Sequence, residues 1–222
     1  MSFERIARRT NLFSPAVTSM NIARSEIFIE KIIRGTGMED NGEVKKFYEE
    51  QCDESRRELV APLEFIRTKS IVSRYLTENE MNVADIAGGV GVYSFWLAGL
   101  GHRPHLLDLA RNHIESAKKR SDKTGVRLAS YTCADARRLP YEDGSMDMAL
   151  LMGALYHLRK RGERLKCLYE AGRVLKRNGA LLCTVQSKFA PMIGIYKWRH
   201  IDGKNMALID ETLKSGNYDN PP

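Results

Sequence analysis

The sequence predicts an α/β protein: a doubly wound, mostly parallel sheet of five strands with an N-terminal helical extension. Three observations carry this expectation. From residue 82, short apolar runs alternate with longer amphipathic segments; a glycine-rich turn, DIAGGVG at 85–91, follows the first run; and an acid, Asp108, closes the second. Parallel strands need a crossover connection, most often a helix, so this alternation reads as a sheet covered by helices on both faces. With the glycine turn placed after the first strand, the arrangement is Rossmann-like.

The elements follow in order. Val17, Met20, Ile27, Phe28, Ile32 and Ile33 stand near helical spacing over 15–34, and Gly35 stops that segment. GTGMEDNG at 35–42 is a polar linker, and 43–51 and 62–76 read as helices, with Pro62 acceptable at a first helical position. Strands are expected at 82–87, 104–108, 127–132, 146–152 and 180–186. Helices near 92–100, 111–123 and 161–176 lie between them, the last closed by Asn178-Gly179. The chain thus divides into a helical arm and lid at 1–76, a Rossmann-like cofactor-binding core at 77–186, and a C-terminal segment at 187–222.

A chain of 222 residues can bury one substantial core, and 43% hydrophobic with 28% charged residues is an ordinary globular composition. No apolar run approaches the ~20 residues that cross a bilayer, so the expectation is a cytoplasmic protein without a membrane partner. The N-terminal 24 residues hold a single acid, Glu4, and read as a basic arm rather than an organellar presequence. Cys52, Cys133, Cys167 and Cys183 form no CxxC pair, and with five scattered histidines no metal site is expected. The net charge of +7, with clusters such as KKR at 118–120, permits a nucleic-acid partner but does not require one. No aromatic-interleaved RNA-binding motif accompanies them.

Chemistry concentrates after residue 82. Gly88, Gly89 and Gly91 let a backbone turn sharply and a ligand approach without a Cβ in the way. As G-x-G-x-x-G, residues 89–94 are an imperfect dinucleotide fingerprint, because Ser94 takes the last place. Asp108 suits the two ribose hydroxyls of an adenosine ligand, an arrangement shared by NAD and adenosylmethionine enzymes. Asp85 at the tip of the first strand separates the two. An anion there repels a pyrophosphate and suits a ligand bearing an ammonium and a sulfonium. Asp135 and Ala136, ending the third strand, can accept from an adenine amino group and donate to its ring. The apolar fourth strand ends in Tyr156-His157.

On DIAGGVG, LLDLA, ADARRLPYEDGSMD and YEAGRVLKRNGALL, residues 82–186 resemble the class I S-adenosylmethionine-dependent methyltransferases of the small-molecule kind, the methyltransferase 11 or 25 group. The resemblance covers about half the chain. It implies S-adenosyl-L-methionine as cofactor, S-adenosyl-L-homocysteine as product, and transfer to an oxygen or nitrogen of a small-molecule acceptor. It implies that Gly89 and Gly91 pass close to the methionine part and that Asp85 lies near its ammonium group, directly or through water. Asp108 and Leu109 fall at the ribose, and Asp135 and Ala136 at the adenine. FYEEQCDESRR and EFIRTKSIV look like the lid helices, placing Tyr48 and Arg67 at the carboxylate end.

Ala87 departs from the family's D-x-G-x-G-x-G loop. A negative φ there, with Gly88 beside it, would leave binding weakened rather than abolished. His157 is the candidate catalytic base, since an imidazole can deprotonate a nucleophile near neutral pH; the competing reading is that Tyr156-His157 only lines the pocket. Asp147 is expected to bond local backbone. Residues 187–222 contain no convincing pair of strands, so the sheet is expected either to stop early behind the N-terminal helices or to be completed by a second copy in a homodimer. Two other functions stay open: a non-catalytic adenosylmethionine-binding or scaffold protein, and an RNA methyltransferase.

Overall fold

The computed structural model describes residues 62–158, 160–187, 189 and 203–215. The expected helices at 15–34 and 43–51 lie outside the described residues. Strands β1 (Asn82–Ile86), β2 (Arg103–Asp108), β3 (Ser130–Cys133), β4 (Met146–Leu151) and β5 (Leu175–Cys183) form one sheet in the order β3-β2-β1-β4-β5. Every pairing is parallel. Helices α1 (Pro62–Val72), α2 (Val92–Gly99), α3 (Arg111–Thr124), α4 (Ala154–His157), α5 (Arg161–Val174) and α6 (Gly203–Ser215) complete the described chain. None of these helices is long and apolar enough to cross a membrane.

Strand periodicity sorts the core into two layers. Val83, Met148 and Leu150 turn one way and pack with Phe65 and Val72 of α1 and with Tyr93 and Leu97 of α2. Ala84, Ile86, Ala149 and Leu151 turn the other way against Cys167, Ala171 and Val174 of α5. The inner strands are apolar almost throughout because both faces are covered. Pro62 opens α1, where its missing N–H has no partner to lose. The expectation that Asp147 bonds local backbone is corrected, because its partners come from neighbouring strands: its Oδ2 accepts the Asn82 N–H at 2.8 Å, and its Oδ1 meets Lys176 Nζ at 2.7 Å. That one side chain ties the start of β1 to β5 across β4.

Three expectations about the elements need correction. Helix α5 ends at Val174, and Asn178-Gly179 lies inside β5 rather than closing a helix. Asn178 has φ 74°, and the β4–β5 register shifts there as a bulge. A left-handed Asn-Gly serves a helix end or a bulge equally well, so residue type alone cannot separate them. Strand β4 ends at Leu151, and Tyr156-His157 lies on the one-turn helix α4, because Gly153 at φ −140°, ψ −39° leaves strand geometry. Asp135 and Ala136 follow β3, which ends at Cys133, as a turn.

Leu150, fully buried between β4 and the α1–α2 layer, tests this packing. Leu150→Ala is expected to cost about 2–5 kcal/mol, read as a lowered urea midpoint. A shift too small to measure would mean that this layer does not hold the sheet.

Candidate functional site

The sheet order reverses around β1: the chain steps outward to β2 and β3, then crosses back to place β4 on the other side. Open α/β sheets bind ligands in the crevice at such a switch point, beyond the carboxyl ends of the strands. A cleft of about 1070 Å³, counted to its open mouth, occupies that place. It is walled by the segments that leave β1, β2, β3 and β4, and α1 lies across it.

The turn after β1 forms the cleft floor. Gly88 stands where a Cβ would meet the Asp85 carboxylate at 2.6–2.7 Å, so only glycine lets the chain fold this closely over that acid. Gly89 has φ 59° and nothing within 4 Å of where its Cβ would stand, leaving its cleft side open to a ligand. Gly91, at φ 78°, starts α2. The expectation that Ala87 has a negative φ is corrected: its φ is 55°, in the left-handed region where a Cβ is strained against the backbone. The strain falls on Ala87 itself because the sharp reversal begins there, directly after β1.

Asp85 shares its strand face with Val83 and points beneath the turn. It is wholly buried and does not reach the cleft wall. Its Oδ2 accepts the Ser94 hydroxyl of α2 at 2.7 Å, while Oδ1 has no hydrogen-bond partner. Burial pushes this carboxyl up from 3.8 to about 6; the Ser94 hydrogen bond opposes that, and the neighbouring charge of Asp108 adds to it. A buried anion with an orphaned oxygen is unfavourable alone and is relieved by a cation close above it.

Asp108, at the end of β2, lines the cleft. Its Oδ2 accepts the Gly89 N–H at 2.8 Å; Oδ1 accepts the Ala110 N–H at 2.8 Å and stands 3.2 Å from His113 Nδ1. A carboxylate offers about four acceptor positions, so Oδ2 retains room for a ligand hydroxyl. Asp135 also lines the cleft, but Arg137 grips it. The Arg137 Nε lies 3.0 and 3.1 Å from its two oxygens, Nη2 lies 2.7 Å from Oδ2, and the Arg137 backbone N–H reaches Oδ1 at 2.8 Å. Arg137 continues to Glu163, which anchors this turn to α5.

Of the residues singled out from sequence, Ala87, Gly88, Gly89, Asp108, Leu109, Asp135, Ala136 and His157 line the cleft. Asp85 and Gly91 lie behind its wall. Arg67 is exposed on α1, outside the cleft, and Tyr48 is outside the described residues. The α1 residues facing the cleft are Glu64 and Phe65. Phe65 and Val72, seven apart and both buried, mark the inward face of α1 and point to Glu64 beside it. His113 and Tyr93 also line the cleft; His113, five residues past Asp108, falls one turn into the helix that Asp108 precedes. His157 is half-buried, its ring centroid 4.6 Å from that of Tyr156. Among the described residues no group of three or more His, Cys, Asp or Glu could hold a metal ion.

This geometry defines an α/β domain with a switch-point cleft whose residues could hold a nucleoside-type ligand with a cation close to the first strand. Residues 84–183 match the family model described as a methyltransferase domain. The region carries the class I S-adenosylmethionine-dependent methyltransferase fold. The demethylmenaquinone methyltransferase of Lactococcus lactis subsp. lactis is 30% identical over 120 residues, covering 53% of this chain and 46% of that protein. A mitochondrial 2-methoxy-6-polyprenyl-1,4-benzoquinol methylase of Leishmania donovani is 30% identical over 113 residues, covering 44% of this chain and 38% of that protein. The chain thus spans less than half the length of these curated relatives. Among solved structures, the PH0226 protein of Pyrococcus horikoshii OT3 superposes with a TM-score of 0.53 at 22% identity, over 72% of this chain and 68% of that one. A SAM-dependent methyltransferase of Methanosarcina mazei does so with a TM-score of 0.51 at 24% identity, over 58% and 62%.

The residues present fit that cofactor. The orphaned Asp85 Oδ1 matches a cationic amino acid part, the open Gly89 leaves space over the turn, and Asp108 retains acceptor capacity for a ribose hydroxyl.

Two expectations follow. Ala87→Gly removes a left-handed strain of about 1 kcal/mol, and should raise the melting temperature by roughly 2–4 °C; a fall would show that the turn is not strained. For Asp85 the folded carboxyl, at about 6, lies above its ordinary 3.8. Between those values the folded chain holds a proton that the unfolded chain releases, so this group's contribution to ligand-free stability falls as pH rises from 3.8 to about 6. Urea midpoints at pH 4 and pH 7 should therefore favour Asp85→Asn over the wild type at pH 7 only. An equal difference at both pH values would contradict the raised value.

Proposed function

We propose that this cleft binds S-adenosylmethionine and that the chain moves the cofactor's methyl group to a small-molecule acceptor, at an oxygen or nitrogen atom. The observation that carries the reading is the buried Asp85 carboxylate, with one unpartnered oxygen, directly beneath the glycine turn and beside Asp108. That arrangement calls for a positive charge joined to a nucleoside, which a dinucleotide's pyrophosphate does not supply.

Bound there, the cofactor supplies an electrophilic methyl group. The chain's own residues then have three tasks. The turn at 87–89 and Asp108 hold the donor so that the acceptor approaches in line, which is the main source of rate in such a displacement. Phe65 of α1, with Tyr93, closes apolar surface over the cleft and excludes water. His157, which lines the cleft beyond β4, would take the proton that the acceptor loses.

A second reading concerns the acceptor atom. Relatives include proteins named ubiquinone/menaquinone biosynthesis C-methyltransferase, and those names favour a ring carbon of a quinol. The similarity to them spans about half of this chain.

Thermal shift tests the cofactor first. S-adenosylhomocysteine at 100 times its Kd should stabilise the chain by about 2.7 kcal/mol, NAD should not, and Asp108→Ala should remove most of the effect. An NAD response without an adenosylhomocysteine response would overturn the reading. Transfer of labelled methyl to phenol, amine and quinol acceptors then separates the acceptor atoms. Binding without transfer to any of them would favour a non-catalytic adenosylmethionine-binding protein.

A further inference from the structure

We infer that His113 is a positioning residue for the ribose: it fixes the Asp108 carboxylate in the orientation that presents Oδ2 to the ligand. This rests on the cleft holding an adenosine-type cofactor. His113 is the third residue of α3, only 4% exposed, and its Nδ1 stands 3.2 Å from Asp108 Oδ1. The Asp108 side chain is itself only 11% exposed.

The placement matters because the two Asp108 oxygens are not equivalent. Oδ1 is turned inward, to the Ala110 N–H and His113, whereas Oδ2 bonds the Gly89 N–H on the cleft floor. Of the backbone donors, Gly89 belongs to the turn after β1 and Ala110 caps the start of α3. His113 is the side chain that reaches the carboxylate from within a helix, and α3 is anchored to the sheet through Ile114 and Ala117. A donor mounted on a packed helix holds a rotamer more firmly than one on a turn, since its own position is set by core packing. Loss of it frees the carboxylate to swing about its Cβ–Cγ bond and weakens its hold on a ribose hydroxyl. Asp85 strengthens the need. The two acids repel each other, as the upward push of Asp108 on the Asp85 carboxyl shows, and a donor on the far side of Asp108 offsets that repulsion.

A ligand cycle tests this by calorimetry, using S-adenosylhomocysteine and its 2′,3′-dideoxy counterpart. His113→Leu removes the donor and should weaken S-adenosylhomocysteine binding about tenfold, the scale of one hydrogen bond to a charged group. The dideoxy compound, with no hydroxyl to offer, should lose less than about twofold from the same change. His113→Asn places an N–H at the same distance from Cβ as the imidazole Nδ1 and should restore binding to within about threefold. Should His113→Leu not fold, His113→Met, similar in size and without an N–H, carries the same comparison. Equal losses for both ligands, or no rescue by Asn, would overturn the positioning role and leave His113 as packing. If the wild type binds neither compound, the cofactor reading fails, and this inference fails with it.

Discussion

The site depends on one carboxylate. Asp108 ends β2, yet its oxygens bond the turn after β1 through Gly89 and the start of α3 through Ala110. The Gly88 N–H adds a bond to the Leu107 carbonyl at 3.1 Å, so the glycine turn is laced along the end of the neighbouring strand. A turn with a left-handed residue at 87, 89 and 91 has little intrinsic reason to hold one shape. It does so here because the sheet places a charged acceptor beside it, and hydrogen bonds to a charged group are about twice as strong as neutral ones.

Asp85 is the counterpart held in an unfavourable place. It is wholly buried, hydrogen-bonded only by Ser94, and close enough to Asp108 to feel its charge. Both acids exist together at the cost of stability in the ligand-free chain, a pattern found where a site is arranged for its ligand rather than for itself. The same economy explains Gly88, whose missing Cβ is what lets the backbone close over the acid. It does not explain Ala87. Nothing in the structure accounts for a methyl group at a left-handed position that the family's loop gives to glycine.

The fold was largely legible in sequence because its signals are local. Apolar runs covered on both faces, glycine after the first and acid after the second, specify a parallel sheet and its cleft without long-range information. Failures came where one local signal serves two structures. Asn178-Gly179 closes helices and makes bulges, and Tyr156-His157 continues an apolar run that Gly153 interrupts. At the site, acids and glycines were visible as types, but their partners were not. Nothing local says that Arg137 grips Asp135, that Arg67 faces outward while Glu64 faces the cleft, or that His113 supports Asp108.

The sequence alone determined the alternation of elements, the turn and the three acids, because these follow from backbone preference and burial along a short stretch of chain. Only the tertiary structure decided which acid is exposed to the cleft and which is sealed beneath it. Asp85 and Asp108 each stand at or near the end of a strand, and they differ because α2 covers one face of β1 while the cleft opens beyond β2. That difference in covering separates a wholly buried carboxyl raised to about 6 from one that lines the cleft, and covering is a property of what packs above a residue, not of the residues beside it.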